Sequence, residues 1–547
     1  MKKTITMLLL AVFVSGVNAQ TAPAWVKFSG PSNYQNYDAQ DVHTATDTFG
    51  NIYTAASMSD TANNLSKAML VKYNAAGVQQ WVQYYDNNDP NYNGSYVTRL
   101  LVDGGGNAYL CGYGITGNTT NNDFLLVKFD NTGAFQWATS LDGGSAGDDY
   151  VTSSTFDASG NIIVAGYANH QSGTTGDDIY VTKWSTAGTL LWSYIWNNTG
   201  SNDEDRALAV ASDLSNNIFI TGSTYQSATD RDMVTLKLDS TGANQWTKIY
   251  AYSGDGNDDR GYSVTTDSLG NSYVTGAAAD WTTVKYDPSG NVTWQTHYTT
   301  FDLERFSYKK VLLDKAGNVI TIGTAFEGSS QQDNYVVSKY TKTGTLIWST
   351  DINSPAGGGS IETAYDAVVD SAGYVYITGK YDGPNGTDIL TSVVSPTGTT
   401  VWNNPFANTL NAGGTDRGYS IALDRNRNII VAGVSETRNS NSANPVDVVT
   451  FKYNALSFAT AIADVSLNAS DLSVYPNPTR GNVFIRITDE NLIGAEVSVT
   501  NMIGQTVLSE KITSLNQQLD MGNQAKGLYV VTVKTEQSAV SKKIIIE

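Results

Sequence analysis

Asp267-Ser268-Leu269-Gly270-Asn271-Ser272-Tyr273-Val274-Thr275-Gly276 reads as a tight turn that runs into a strand. The Asp carboxylate bonds the backbone amides ahead of it, and Gly tolerates the positive φ such a turn requires. The residues that follow alternate apolar and polar, the period of a half-buried strand. The same Asp-x-x-Gly-Asn turn begins at Asp47, Asp103, Asp157, Asp213, Asp314, Asp370 and Asp424, and the eight copies are spaced 54 or 56 residues apart except for one interval of 47. Asn216 and Arg427 replace Gly, and Tyr374 replaces Asn. Asn216 keeps the turn, because Asn also accepts positive φ.

Past each turn strand and a variable polar loop comes a third strand such as Asp123-Phe124-Leu125-Leu126-Val127-Lys128, echoed at Asp178 to Lys183 and Asp447 to Lys452. A Gly-x-x-x-Trp unit follows at Gly77/Trp81, Gly133/Trp137, Gly188/Trp192, Gly242/Trp246, Gly290/Trp294, Gly344/Trp348 and Gly398/Trp402, and an eighth Trp stands alone at Trp25. With the strand before the turn, each unit has four strands, the content of a β-propeller blade. The expected fold is therefore all-β, an eight-bladed β-propeller of four-stranded blades over residues 20–455. Residues 22–30 are expected to supply the outer strand of the blade built from about 416–455, which hides the sheet edges. The fixed register of the Trp residues fits packing between blades better than sugar stacking. The repeats resemble the SBBP-type bacterial β-propeller repeat over roughly residues 22–455. That resemblance implies the fold and no particular activity, since propellers host many.

Residues 456–471 read as a connector, and a small β-sandwich is expected over 472–547. Its landmarks are Tyr475-Pro476-Asn477-Pro478-Thr479-Arg480-Gly481, Val497-Ser498-Val499-Thr500-Asn501, Gly527-Leu528-Tyr529-Val530-Val531-Thr532-Val533 and the closing Lys542-Lys543-Ile544-Ile545-Ile546-Glu547. They resemble the type A C-terminal sorting domain of the type IX secretion system, which implies that this segment addresses the chain to the secretion machinery. At the other end, Lys2 and Lys3 precede a short apolar run from Ile5 to Val17 and the small-residue site Val17-Asn18-Ala19. This is the pattern of a cleaved signal peptide over residues 1–19. The run is shorter than the roughly 20 residues needed to span a bilayer. A secreted or surface-exposed monomer, exported through the periplasm, is expected.

Composition limits the chemistry. Only 16% of the 547 residues are charged and 40% are hydrophobic, which suits many short strands rather than a coiled coil or a disordered chain. One Cys (Cys111) and three His (His43, His170, His297) are too few for a structural zinc site, an iron–sulfur cluster or a disulfide scaffold. A net charge of −19 argues against nucleic acid as a partner. From Leu472 onward seven basic and seven acidic side chains cancel, so the acidity belongs to the propeller and its linker. Gly143-Gly144-Ser145-Ala146-Gly147 matches a hydrolase elbow in letters, but no helix follows it, as such an elbow requires.

Carboxylates remain for reactive or binding work. Eight residues before the turn Asp stand Asp149, Asp205, Asp259, Glu362 and Asp416 in five of the eight units. At the start of the innermost strands they would ring one mouth of the channel and attract cations. Alternatively, Asp205-Arg206, Asp259-Arg260 and Asp416-Arg417 are blade-to-blade ion pairs. Asp255, Asn257 and Asp259 alternate oxygen ligands like part of a calcium loop, so calcium is a possible cofactor, although the Gly and distal Glu of an EF-hand are missing. Trp281 follows the shortest loop, Gly276 to Asp280, and is expected to face a notch that takes a ligand. Two functions fit these residues: a module that binds a glycan or surface protein, or a polysaccharide-acting hydrolase or lyase with paired carboxylates.

Overall fold

The computed structural model describes residues 21–547 except 30–33, 37–41, 61–64, 87–93, 116–120, 145–146, 170–175, 199–203, 228–229, 252–257, 279, 299–308, 328–331, 354–360, 384–385, 409–413, 437–445, 457–471, 480, 488–495, 503–504, 515, 523 and 535–538. The segment read as a signal peptide lies outside the described residues. The chain divides into two compact units, residues 1–456 and 457–547. Among the described residues every regular element is a strand.

The first unit holds eight antiparallel sheets. The third is representative: Asp149–Phe156, Ile162–Ala168, Asp178–Trp184 and Leu190–Trp196 run in sequence order from the innermost strand to the outermost. The first strands of all eight blades contribute residues to the wall of one central cavity. The first blade carries an additional short strand, Tyr34–Asn36, paired to the far end of its second strand. The eighth blade has three strands of its own, Asp416–Leu423, Ile429–Glu436 and Val446–Tyr453, and Trp25–Ser29 pairs antiparallel with the last of these, Trp25 opposite Lys452 and Phe28 opposite Val449. The ring is thus closed by hydrogen bonds between the two ends of the propeller.

The turn behaves as its chemistry dictates. Asp157 Oδ1 accepts the amides of Ser159 and Asn161 at 2.9 and 2.8 Å, and Gly160 sits at φ 80°. Asn216 and Arg427 adopt φ of 62° and 60° where the other copies have Gly, so Arg427 accepts a conformation uncommon for its type. In four blades the second strand offers a Tyr hydroxyl to the turn carboxylate: Tyr53, Tyr109, Tyr273 and Tyr376 reach Asp47, Asp103, Asp267 and Asp370. Where that position is Ile163, Ile320 or Ile430, the third-strand lysine takes its place, with Lys183–Asp157 at 2.7 Å, Lys339–Asp314 at 2.9 Å and Lys452–Asp424 at 3.2 Å.

Each Trp is a latch to the next blade. Trp137 Nε1 donates to the Thr186 carbonyl at 3.3 Å, and its indole lies so close to Gly188 that a Cβ there would approach to 2.9 Å. The same contact recurs from Trp81 to Gly133 and onward to Trp348 and Gly398. Trp25 makes it to Gly77 of the first blade, while Trp402 Nε1 reaches Thr21 Oγ1 at 3.2 Å. Only Gly leaves room for the indole, which explains why Gly and Trp recur together.

The second unit is a β-sandwich in miniature. Leu472–Tyr475, Asn482–Ile487 and Asn516–Asp520 form one sheet, and Thr506–Lys511, Glu496–Asn501, Gly527–Lys534 and Ala539–Ile546 form the other. Leu472, Val483, Val497, Val499, Leu519, Val531 and Ile544 fill its core.

Candidate functional site

The five carboxylates singled out above do begin innermost strands or stand one residue before them, but they do not form a solvated ring. Asp149, Asp205, Asp259, Glu362 and Asp416 are at most 2% exposed. Asp149, Asp205 and Asp416 turn into the junction where the chain passes from one blade's outer strand to the next blade's inner strand. Asp149 Oδ2 accepts the Gly143 amide at 2.6 Å, Asp205 Oδ2 the Asn198 amide at 2.7 Å and Asp416 Oδ2 the Asn408 amide at 2.8 Å. The Asp205 and Asp259 amides in turn donate to the Asp177 and Arg231 carbonyls of the preceding blade, both at 2.6 Å. These acids fasten the connecting segment, and a charged mouth built from them is corrected to a set of buried clamps.

The blade-to-blade ion pairs exist, but one residue earlier than expected. Arg206 pairs with Asp177 at 2.7 Å and with Glu204 at 3.1 Å, Arg231 with Glu204 at 2.5 Å and Asp258 at 3.0 Å, and Arg260 with Asp258 at 2.7 Å. This ladder joins the third, fourth and fifth blades through Glu204 and Asp258 instead of Asp205 and Asp259. Arg417 lies 3.5 Å from the Tyr419 hydroxyl, to which it donates.

Trp281 is also reassigned. It is 3% exposed, packs with Ala325 and Val336, and donates its Nε1–H to Thr275 Oγ1 at 2.8 Å. It is a core residue, so no notch opens on it. Asp255 and Asn257 lie outside the described residues, while Asp259, their proposed co-ligand, is buried.

A denser acidic group joins Asp123, Asp142 and Asp149, whose carboxylate oxygens fall within 4.8 Å of one another, close enough to hold a metal ion. Burial, with help from Asp142 and Asp123 and against the Gly143 amide, pushes the Asp149 carboxyl up to about 7. Asp388 is pushed up to about 6 by burial and by Asp416.

The central cavity, of about 380 Å³, has different chemistry. Four residues before each turn Asp stand His43, Arg99, Ser153, Ala209, Ser263, Lys310, Asp366 and Ser420, one per blade, and all eight line it. Lys310 and Asp366 form an ion pair between adjacent blades. Asp366 Oδ2 also accepts the Ile421 amide at 2.9 Å. Arg99 donates to the Thr98 carbonyl at 2.6 Å and meets no carboxylate among the described residues. Burial, then Arg99 and Lys310, holds His43 well below its ordinary value, so its imidazole is neutral at pH 7. Ser153, Ser263 and Ser420 accept the amides of Val210, Val311 and Thr44 at 3.1 to 3.2 Å, tying neighbouring inner strands together around the wall. This ring was missed in the sequence, although the count from the turn that found the buried acids would also have found it.

Residues 473–547 match the secretion system C-terminal sorting domain, and residues 245–278 match the SBBP beta-propeller repeat. No curated protein matches the sequence. Similar solved structures include BamB from Moraxella catarrhalis, at 15% identity and TM-score 0.40 over 78% of this chain and 100% of that one. The β-propeller domain of the trilobed protease from Pyrococcus furiosus is 7% identical, with TM-score 0.37 over 78% and 99%. A polysaccharide lyase of family PL25, an ulvan lyase, is 10% identical, with TM-score 0.42 over 77% and 95%. No helix among the described residues is long and apolar enough to cross a membrane. The chain is thus an eight-bladed β-propeller carrying an SBBP-type repeat, followed by a C-terminal sorting domain that implies interaction with the secretion machinery and indicates export to the cell surface or secretion.

Proposed function

We infer that the propeller is a binding module of the cell surface, recognising a glycan or protein ligand without transforming it. The observation that carries this reading is the fate of the carboxylates. A glycosidase or lyase needs an acid and a base beside a space that the substrate can enter. Asp149 has the raised pKa of a general acid, but it is fully buried and accepts a backbone amide, which is a structural position. The repeat indoles are engaged as latches between blades and do not stand free to stack on sugars. What faces the central space is a ring of three serine hydroxyls, the His43 imidazole, the Arg99 guanidinium and a Lys310–Asp366 ion pair, which suits holding a ligand.

In this reading residues 1–19 are removed on export, residues 20–455 bind, residues 456–471 connect, and residues 472–547 serve the secretion machinery. A glycan array probed with the purified chain tests the first part. Retention of a glycan with no release of new reducing ends or unsaturated products is expected, and turnover of any bound glycan would overturn it. A chain ending at Asp471 is expected to fold and to accumulate in the periplasm.

A further inference from the structure

We propose that the central cavity binds an oxyanion, the carboxylate or sulfate group of an acidic sugar, through the Arg99 guanidinium and the hydroxyls of Ser153 and Ser263. The inference rests on the reading of the chain as a binding module and names the ligand chemistry of its central site.

The first observation is the sign of charge. Acidic residues outnumber basic ones 52 to 33 in this chain, yet the ring four residues before the turn has two bases and one acid. Lys310 and Asp366 cancel. Arg99 therefore leaves the cavity wall with one uncompensated positive charge. A guanidinium presents five N–H donors in a fixed fork that matches carboxylate and sulfate oxygens. Arg99 directs one of its groups to the Thr98 carbonyl, and the remaining donors have no acceptor among the described residues. Holding such a group half-buried costs desolvation unless an anion meets it.

The second observation is the supply of neutral donors. Ser153 and Ser263 each accept a backbone amide through Oγ, and the proton of each hydroxyl has no acceptor among the described residues. The imidazole of His43, neutral between Arg99 and Lys310, has a buried Nε2 with no partner among the described residues. An anion beside Arg99 would offset the guanidinium charge that helps to oppose protonation of His43, so imidazole and ligand are electrostatically coupled. The third is size. About 380 Å³ lies within the range of small-molecule sites and accommodates a sugar unit but not a folded partner.

Thermal unfolding and calorimetry of the full chain, at constant ionic strength, test the proposal with glucuronate, inorganic sulfate, glucose and chloride as probes. Glucuronate or sulfate is expected to raise the melting temperature and glucose and chloride to leave it unchanged. A response to glucuronate identifies a sugar acid as the source, and a response to sulfate alone identifies a free inorganic oxyanion. Arg99→Gln is expected to weaken binding at least tenfold, and Arg99→Lys less, because the charge remains without the fork. With only three histidines in the chain, the ¹³Cε1 signal of His43 provides a second readout in the unmutated protein, so the proposal stays testable if Arg99→Gln does not fold. That signal should move on adding the anion. Equal responses to sulfate and chloride, an unmoved His43 signal, or unchanged affinity in Arg99→Gln would overturn the site. Array-bound glycans insensitive to Arg99→Gln would overturn the channel site and leave the surface-binding reading standing. An empty array with an Arg99-dependent sulfate response would do the reverse.

Discussion

Two sets of carboxylates stand at opposite ends of the inner strands, eight residues apart, and have opposite electrostatic fates. Burial acts to raise the turn acids Asp103, Asp157, Asp267, Asp314 and Asp424, yet all are held below the ordinary carboxylate range because amides, Asn side chains and Tyr or Lys donors outweigh it. At the other end of the strand Asp149 and Asp416 are raised, because burial there is answered by fewer donors and aggravated by neighbouring acids. Burial alone therefore does not decide whether an acid stabilises a propeller blade. The number of donors converging on it does.

The largest way to break this contrast is Asp157→Ala. It strips two amides and the Asn161 side chain of their acceptor and leaves Lys183, with its side chain 6% exposed, without its ion-pair partner. A loss of about 3–5 kcal/mol is expected in urea unfolding followed by Trp fluorescence. A loss under about 1 kcal/mol would show that the turn carboxylates are not the blade's anchors.

Asp149→Asn sharpens the contrast from the other side. The folded carboxyl is raised to about 7, so the folded state holds a proton that the unfolded chain releases near 4. Its favourable contribution is complete below the unfolded value and is lost as pH rises through about 7. Melting temperature should therefore fall between pH 5 and pH 8, and Asp149→Asn should flatten that slope and be stabilising by about 1–2 kcal/mol at pH 8. The turn acids work with the opposite sign: their contribution, present above about 4, disappears as pH falls through their lowered folded values. Stability should thus peak between the two limits. A melting temperature that rises steadily from pH 5 to pH 8 would contradict the assignment.

The smallest effect is expected at Glu204, next to the buried Asp205. Glu204 bridges Arg206 and Arg231 near the surface. Glu204→Gln should cost about 0.5 kcal/mol and lose even that effect at high salt, whereas Asp205→Ala should cost about 1–3 kcal/mol at any salt. Equal costs would mean that the buried clamp contributes no more than the exposed ladder.

The turn, the Trp latch and the number of blades were legible in the sequence because each restricts residue identity by a hard physical limit: positive φ at Gly160, the lack of room for a Cβ at Gly188, a carboxylate at Asp157 that must accept several donors. The direction in which the acids point was not legible. Between the residues eight and four before the turn, the inner strands carry a β-bulge, as between Val97 and Arg99, Val151 and Ser153, Gly261 and Ser263, and Ala364 and Asp366. One extra residue exchanges the two faces of a strand. Asp149 and Ser153 would share a face by simple alternation, but one clamps a junction and the other lines the cavity. Trp281 misled for a related reason: a short loop beside a large aromatic resembles an exposed platform, and only the packing of Ala325 and Val336 from the next blade covers it.

The pairing of Trp25–Ser29 with Val446–Tyr453 also sets an order of events in assembly. Trp25 pairs with Lys452 across 427 residues of sequence, so the eighth sheet is incomplete until nearly the whole propeller has been made. Joining ends so distant carries a loop-closure cost of about 4 kcal/mol beyond that of a local contact, and only blades already stacked bring the two ends within reach. The preceding blades, each an unbroken meander, are free to form one after another, whereas ring closure is a single late step of high contact order. Until that step the chain is an open arc with an unpaired strand edge, the kind of edge that invites pairing with another chain. Afterwards the arc is locked by the first strand of the folded chain.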